Sequence, residues 1–232
     1  TCALLNSQPM GFYAPAQLVR DAREHGVEIR AVSVNHSVWD CTLEPRGDGA
    51  LALRLGFRQI KGMREEDAAW IEAARGNGYP DVESLWRRAG VRPDALERLA
   101  EGDAFASLGL NRRGALWAAR ALRGPKPLPL FGADGEGGAE PEVALPAMTL
   151  GQEVIEDYLA LRLSLRAHPM ELLRPRLPDS LPHERLDRAT GRITVTGLVI
   201  TRQRPGTASG VIFLTLEDET GVSNVVVWSR VY

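Results

Sequence analysis

GVIFLTLEDETGVSNVVVW, Gly210 to Trp228, is the stretch that decides the fold. It reads as two β-strands joined by Glu217-Asp218-Glu219-Thr220-Gly221, a run of the residue types that turns select. A third strand candidate, RITVTGLVITR (Arg192 to Arg202), lies just upstream. Val195, Gly197, Val199 and Thr201 alternate with Thr194, Thr196, Leu198 and Ile200, so that strand is apolar or β-branched on both faces.

Three strands in succession, the first ending in a glycine- and arginine-bearing loop (QRPGTASG, Gln203 to Gly210), resemble the opening of an OB-fold. That barrel binds oligonucleotides on strands two and three and on the loop after strand one. On this reading Arg202 and Arg204 contact phosphate, while Phe213 and Trp228 stack on bases. Phe213 serves equally well as core, since Ile212 and Leu214 take the other face and one set must be buried. Glu217, Asp218 and Glu219 read as turn residues before they read as a metal cluster.

The 232 residues suffice for one large domain or two to three small ones. Apolar content of 44% and charged content of 25% are those of a soluble globular protein. No apolar run reaches the length of a membrane span, and no signal peptide is seen. Cys2 and Cys41 form no metal or redox motif, so a cytoplasmic protein with reduced thiols is expected. Thr1 and Tyr232 read as the ends of a piece excised from something larger.

Net charge is −2, which by itself argues against a nucleic-acid partner. Its distribution argues the other way. Residues 51 to 126 carry 14 Arg/Lys against 10 Asp/Glu, and residues 158 to 209 carry nine against four. Between them, residues 132 to 157 carry seven acids and no base. Nearly all the cations are arginines, which suit bidentate phosphate contacts, although codon bias produces the same count.

Along the chain, Pro15 opens a helix over Ala16 to His25 that Gly26 ends, and Val27 to Val34 is a strand candidate. Asp48-Gly49 marks a hairpin turn before Ala50 to Phe57. Short helices follow at Glu65 to Arg75, Val82 to Ala89, Pro93 to Glu101 and Arg112 to Arg123, the last with Asn111 as N-cap. GADGEGGAEPE is a flexible acidic linker by composition. Thr149 to Ala167 reads as a helix, and RPRLPDSL (Arg174 to Leu181) as an extended connector.

Ile60-Lys61-Gly62-Met63-Arg64 precedes a helix. A glycine turn between two short helices presents backbone N–H groups to phosphate, as a helix-hairpin-helix does, without reading base sequence. A second turn, Gly90-Val91-Arg92, precedes the helix from Pro93, which makes two units in tandem. Asn111-Arg112-Arg113, with Arg120, Arg123 and Lys126, carries five cations and no acid, and suits a DNA backbone or a solvated helix face. Pro127-Leu128-Pro129-Leu130-Phe131 suits an apolar groove on a partner or on its own domain. The histidines His25, His36, His168 and His183 show no ligand spacing. No metal site, P-loop, Ser/His/Asp pattern or paired-carboxylate motif stands out, so no catalytic residue is assigned.

With these segments in order the chain resembles the bacterial C-family DNA polymerases, the polymerase III alpha subunit group, and most closely their error-prone branch. The resemblance rests on LLNSQPMGFY (Leu4 to Tyr13), NHSVWDCTLE (Asn35 to Glu44), LRLGFRQIKGM (Leu53 to Met63), SLRAHPM (Ser164 to Met170) and GVIFLTLEDETG (Gly210 to Gly221). The expected fold is α+β and multi-domain. It implies the end of a fingers domain at 1–50 as a mixed α/β segment, and a tandem helix-hairpin-helix DNA-binding domain at 51–123. An acidic linker at 124–148, a helix and proline-rich connector at 149–189, and the first part of an OB domain at 190–232 follow. A partial barrel of this kind is expected to leave an open sheet edge.

The resemblance further implies a DNA-binding, non-catalytic piece of a polymerase acting in replication, repair and damage-induced mutagenesis. The family's palm, with its metal-binding aspartates and a divalent cation such as magnesium, lies upstream of the matching region. Lys61, Gly62, Arg64, Arg92, Arg112 and Arg113 are the expected duplex contacts, and Arg202, Arg204 and Phe213 the single-strand contacts. Leu128, Leu130 and Phe131 stand where the family carries its clamp-binding peptide, with Pro127 where that peptide begins with Gln. A sliding clamp or a mutagenesis accessory protein is therefore an alternative main partner. A further alternative is an RNA-binding OB domain of an aminoacyl-tRNA synthetase, which the helical module and N-terminal motifs oppose.

Overall fold

The computed structural model describes residues 1–11, 13–122, 145–207 and 209–231. They form two compact units, 1–165 and 166–232.

The first unit opens with α1 (Cys2–Asn6) and α2 (Pro15–Glu24). Pro15 occupies the first helical position of α2, where a missing N–H costs nothing, and Leu18, Val19 and Ala22 bury one face. A small sheet follows, built from β1 (Ile29–Arg30), β2 (Thr42–Pro45) and β3 (Leu51–Arg54) in the order β1-β3-β2. β2 and β3 form the expected hairpin, whose turn is held by Asp48 accepting from the Ala50 N–H at 3.1 Å. The strand expected over Val27 to Val34 shrinks to the two residues of β1. β3 pairs with it only at Leu53 and Arg54, and the Val34 N–H is taken by Ala104 O at 2.9 Å instead.

The helical part comprises α3 (Glu65–Ala73), α4 (Val82–Ala89), α5 (Pro93–Glu101), α6 (Arg112–Ala121) and α7 (Leu150–Leu161). Local chemistry sets their ends. Asp81 caps α4 by accepting from the Ser84 N–H, Gly90 ends it in the left-handed conformation, and Asn111 caps α6 through the Gly114 N–H at 2.8 Å. Thr149 and Gln152 form a reciprocal capping box on α7. The helix expected to run to Ala167 stops at Leu161 because Arg162 turns left-handed, with φ of +62°.

One hydrophobic core joins these pieces across the 50/51 boundary of the sequence reading. Leu5, Val32, Leu53, Leu55 and Phe57 belong to the same buried cluster as Ile71, Leu85, Leu96, Leu99 and Phe105. Ala160, Leu161 and Leu163 belong to it as well, so α7 packs on the module from which the sequence reading separates it.

The second unit begins with α8 (Pro169–Leu173), followed by single 3-10 turns at Arg174–Arg176 and His183–Arg188. A three-stranded antiparallel meander, β4 (Leu198–Gln203), β5 (Ile212–Glu217) and β6 (Val222–Val227), completes it, with both outer strands unpaired among the described residues. The strand expected from Arg192 pairs as a strand only from Leu198. Upstream, Thr194 makes an isolated bridge to Ser180. The bulge between Val199 and Thr201 shifts the β4–β5 register. Among the described residues no helix is long and apolar enough to cross a membrane.

Candidate nucleic-acid interface

The first turn singled out by the sequence stands between a 3-10 turn at Phe57–Gln59 and α3. Ile60 and Met63 are buried beneath it, while Lys61 and Gly62 face solvent. Gly62 has φ of +76°, which an L side chain adopts only under strain. A Cβ there would fall 2.4 Å from Arg98 Nη1, so the guanidinium of Arg98, carried by α5, lies directly over Gly62. The Lys61 N–H is consumed by Ala160 O at 2.8 Å, whereas the Gly62 N–H meets no acceptor among the described residues.

Two hollows adjoin at this turn and share Ile60, Lys61 and Gly62. One, of about 330 Å³, is also lined by Arg58 and Arg162; the other, of about 420 Å³, by Arg98, Glu101 and Glu156. Arg58 is committed to Asp40 at 2.5 Å and to Gln8 O. Neither Arg98 nor Arg162 is in the set expected from sequence. No spacing rule links α5 or the end of α7 to residues 60–64, so only the packing reveals them.

The other expected duplex contacts are all engaged within the chain, to different degrees. Arg64 is exposed but forms a bidentate pair with Asp67 at 2.8 and 3.0 Å. Arg92, beside the Gly90 turn, is exposed and pairs with Asp94 at 2.9 Å. Arg113 donates to Pro146 O at 2.7 Å. Arg112 departs furthest from expectation. It is 4% exposed, donates Nε–H to Glu101 O at 3.0 Å, and is ion-paired to Asp157 at 2.5 Å and to Glu153. A guanidinium sealed between α6 and α7 and satisfied by two carboxylates offers nothing to phosphate. Its role is to hold α7 in place.

In the second unit the expected single-strand contacts separate. Residues directly opposite in a ladder share a face. Phe213 stands opposite Gln203 and Val226, while Arg202 stands opposite Leu214, so Phe213 and Arg202 lie on opposite faces of the sheet. Phe213 is 41% exposed and Trp228 58%. The turn acids are structural. Asp218 is fully buried and paired with Arg174 at 2.7 Å, Glu219 pairs with Arg174 at 2.6 Å, and Glu217 bonds His168 at 3.1 Å. Among the described residues no three His, Cys, Asp or Glu side chains converge to hold a metal ion, so these residues do not fit a divalent metal centre. Leu128, Leu130 and Phe131 lie outside the described residues.

Comparison with known proteins gives this geometry a context. The family model described as a helix-hairpin-helix motif matches residues 26–115, which contain both glycine turns. The chain is 71% identical to an error-prone DNA polymerase of Ruegeria pomeroyi over its whole length, and covers 21% of that protein. It is 54% identical to error-prone DNA polymerase 2 of Agrobacterium fabrum and 49% identical to an error-prone DNA polymerase of Sinorhizobium medicae. In both cases the match takes in 99% of this chain, and 22% and 23% of the relative. The chain thus spans about a fifth of the length of the curated relatives it matches.

Proposed function

We propose that this chain, which belongs to the error-prone DNA polymerase family and spans about a fifth of its relatives' length, supplies DNA grip and not chemistry. The observation that carries this reading is the exposed Gly62 turn, with a free N–H beside Lys61 inside the helix-hairpin-helix match. A backbone N–H and an adjacent ammonium are the donors that phosphate oxygens accept, and contacts to phosphate hold a duplex whatever its sequence. Lys61, Gly62, Arg64 and, at the second turn, Arg92 are the duplex contacts of this reading. Arg92 exchanges its exposed Asp94 carboxylate for a phosphate at little cost, because exposed ion pairs are worth little, whereas Arg64 reaches phosphate while keeping its pair with the buried Asp67.

The second unit is the partial OB-fold of this reading. The Phe213 face, with Trp228 near the strand end, stacks on bases of the single-stranded template, while Arg202 and Arg204 contact phosphate from the β4 edge. Nucleotidyl transfer with its divalent metal belongs to a palm domain of the longer family members. A sliding-clamp or accessory-protein contact through Leu128, Leu130 and Phe131 rests on the sequence alone.

The test is binding of the 232-residue chain to a labelled primer–template duplex with a single-stranded overhang, across a salt series. The expected result is a linear fall of log affinity with log salt, weakened by Lys61→Ala with Arg92→Ala and indifferent to duplex sequence. Absence of binding at low salt overturns the reading.

A further inference from the structure

The Gly62 turn is the ridge between two hollows, and each hollow receives an arginine from a helix outside the hairpin. Arg98 reaches it from α5 and Arg162 from the end of α7. We infer that Arg98 and Arg162 bind neighbouring phosphates of one nucleic-acid strand, one on either side of Gly62, with Lys61 between them. This makes α7, which lies outside the helix-hairpin-helix match, part of the grip. The inference rests on the reading of the Gly62 turn as a phosphate contact.

Arg98 is seated for this role. Its guanidinium lies over Gly62, on the side where a Cβ would stand, 2.4 Å from Nη1. Among the described residues the nearest carboxylate to Arg98 is Asp94, at 3.9 Å, beyond hydrogen-bond reach. Arg98 is therefore oriented at the turn without being satisfied there.

The backbone of Arg162 points the same way. Left-handed helix ends are usually given to glycine, because any side chain adds strain there. Here the position holds an exposed arginine at φ of +62°, with no acid partner among the described residues. A glycine would end α7 with less strain, and what the arginine adds is a cation in the hollow beside Lys61.

The supporting elements are rigid. α7 is tied to the turn by the Lys61 N–H to Ala160 O bond and to α6 by the Arg112 ion pairs. The backbone positions that carry the two arginines and Lys61 thus keep a fixed relation.

The acids leave one track open. Glu65 and Glu66 stand exposed in the first turn of α3, where they favour the helix dipole and turn a phosphate away from the helix beyond its N-cap, Arg64, whose partner Asp67 is buried. Glu101 and Glu156 line the Arg98 hollow together with Arg98, Lys61 and Gly62. The path from Arg162 over Lys61 and Gly62 to Arg98 carries three cations, and these are what an anion meets along the turn.

The experiment measures salt slopes for Arg98→Gln, Arg162→Ala and the double variant on two duplexes of unrelated sequence. Arg98→Gln keeps the stem that packs near Gly62, and Arg87→Ala, which loses an exposed pair with Glu83, is the control for a solvated face. Removing one phosphate-binding cation lowers the magnitude of the log–log salt slope by about 0.9, and the double variant lowers it by about twice that. The reduction is equal on both duplexes, because phosphates carry no sequence. Unchanged thermal melting shows that the fold persists, and the slope is a readout that a purely structural role leaves alone. A wild-type chain that binds with a steep slope, matched by folded variants with the same slope, overturns the inference and leaves the proposed function standing. A wild-type chain that does not bind overturns both.

Discussion

Arg112 Nη2 lies 2.5 Å from Asp157 Oδ1, both side chains are sealed from solvent, and 45 positions of sequence separate them. The pair fastens α7 to α6, while Nε donates to Glu101 O and Nη1 to Glu153. Removing one partner of a buried pair leaves the other charge unsatisfied, which costs about 3–5 kcal/mol. Arg112→Ala is accordingly expected to lower the unfolding free energy of the first unit by an amount of that order, read from its urea denaturation curve. A phosphate-binding arginine behaves in the opposite way, losing affinity while stability stays within about 0.5 kcal/mol.

Gly62→Ala tests the turn from its backbone. The positive φ costs an L residue about 1–2 kcal/mol, and the new Cβ must displace the Arg98 guanidinium. Because a long side chain moves easily, the stability loss should stay near the conformational cost. Duplex affinity should fall further than stability does. Denaturation curves and binding titrations on one preparation separate the two effects.

Local signals in the chain were legible where the chemistry is local. The Asp48-Gly49 hairpin, the Asn111 cap, the Gly90 helix end and the Gly210–Trp228 strand pair are written in a few adjacent residues. What was not legible lies in tertiary packing. A block of five cations between 111 and 126 has the composition of a DNA track, yet Arg112 turns inward to carboxylates of a helix that follows an acidic linker. Conversely, Arg98 and Arg162 carry no motif and reach the glycine turn only because α5 and α7 pack around it. Strand alternation correctly opposed Phe213 to Leu214, but the register that sends Arg202 to the Leu214 face depends on a bulge that composition does not mark.

Glu44 gives the first unit an acid-sensitive point. Hydrogen bonding to Arg54 chiefly, working against the cost of burial, and then to Arg30, holds its carboxyl down at about 2. A folded-state value below the unfolded one stabilises above the unfolded value, near 4.5, and this contribution is lost as pH falls through about 2. After screening by solvent it amounts to about 1–2 kcal/mol. Glu44→Gln should therefore lower stability at pH 7 and flatten its decline between pH 4.5 and 2, as read from denaturation at stepped pH. An unchanged pH profile would show that the pair contributes nothing.

Phe213→Ala should weaken binding of a single-stranded oligonucleotide by about 1–3 kcal/mol if one base stacks on it, with little change in salt slope. Arg202→Ala should instead reduce the slope by about 0.7. Since the two side chains occupy opposite faces of the sheet, their effects should add in the double variant. A large coupling energy would mean that one nucleotide engages both, against the observed register.

Asp218 is the keystone of the second unit. Its Oδ1 accepts from the Thr220 N–H, the Thr220 hydroxyl and the Gly221 N–H, at 2.7 to 2.9 Å. Its Oδ2 accepts from the His183 N–H at 3.0 Å and from Arg174 at 2.7 Å. Burial pushes its carboxyl up, but the Thr220 hydroxyl and the His183 and Thr220 N–H groups outweigh it, and the net direction is down. The ionised form therefore stabilises the fold above the ordinary aspartate range, and that contribution disappears as pH falls below it. Asp218→Asn keeps the volume but turns one acceptor into a donor facing donors. A buried donor left without a partner costs about 1–3 kcal/mol, and several are created here at once. The variant should lose the cooperative unfolding transition of the second unit while the first unit melts as before, which amide hydrogen exchange resolves unit by unit. Full protection of β5 and β6 in the Asn variant would show that the turn is held by other means.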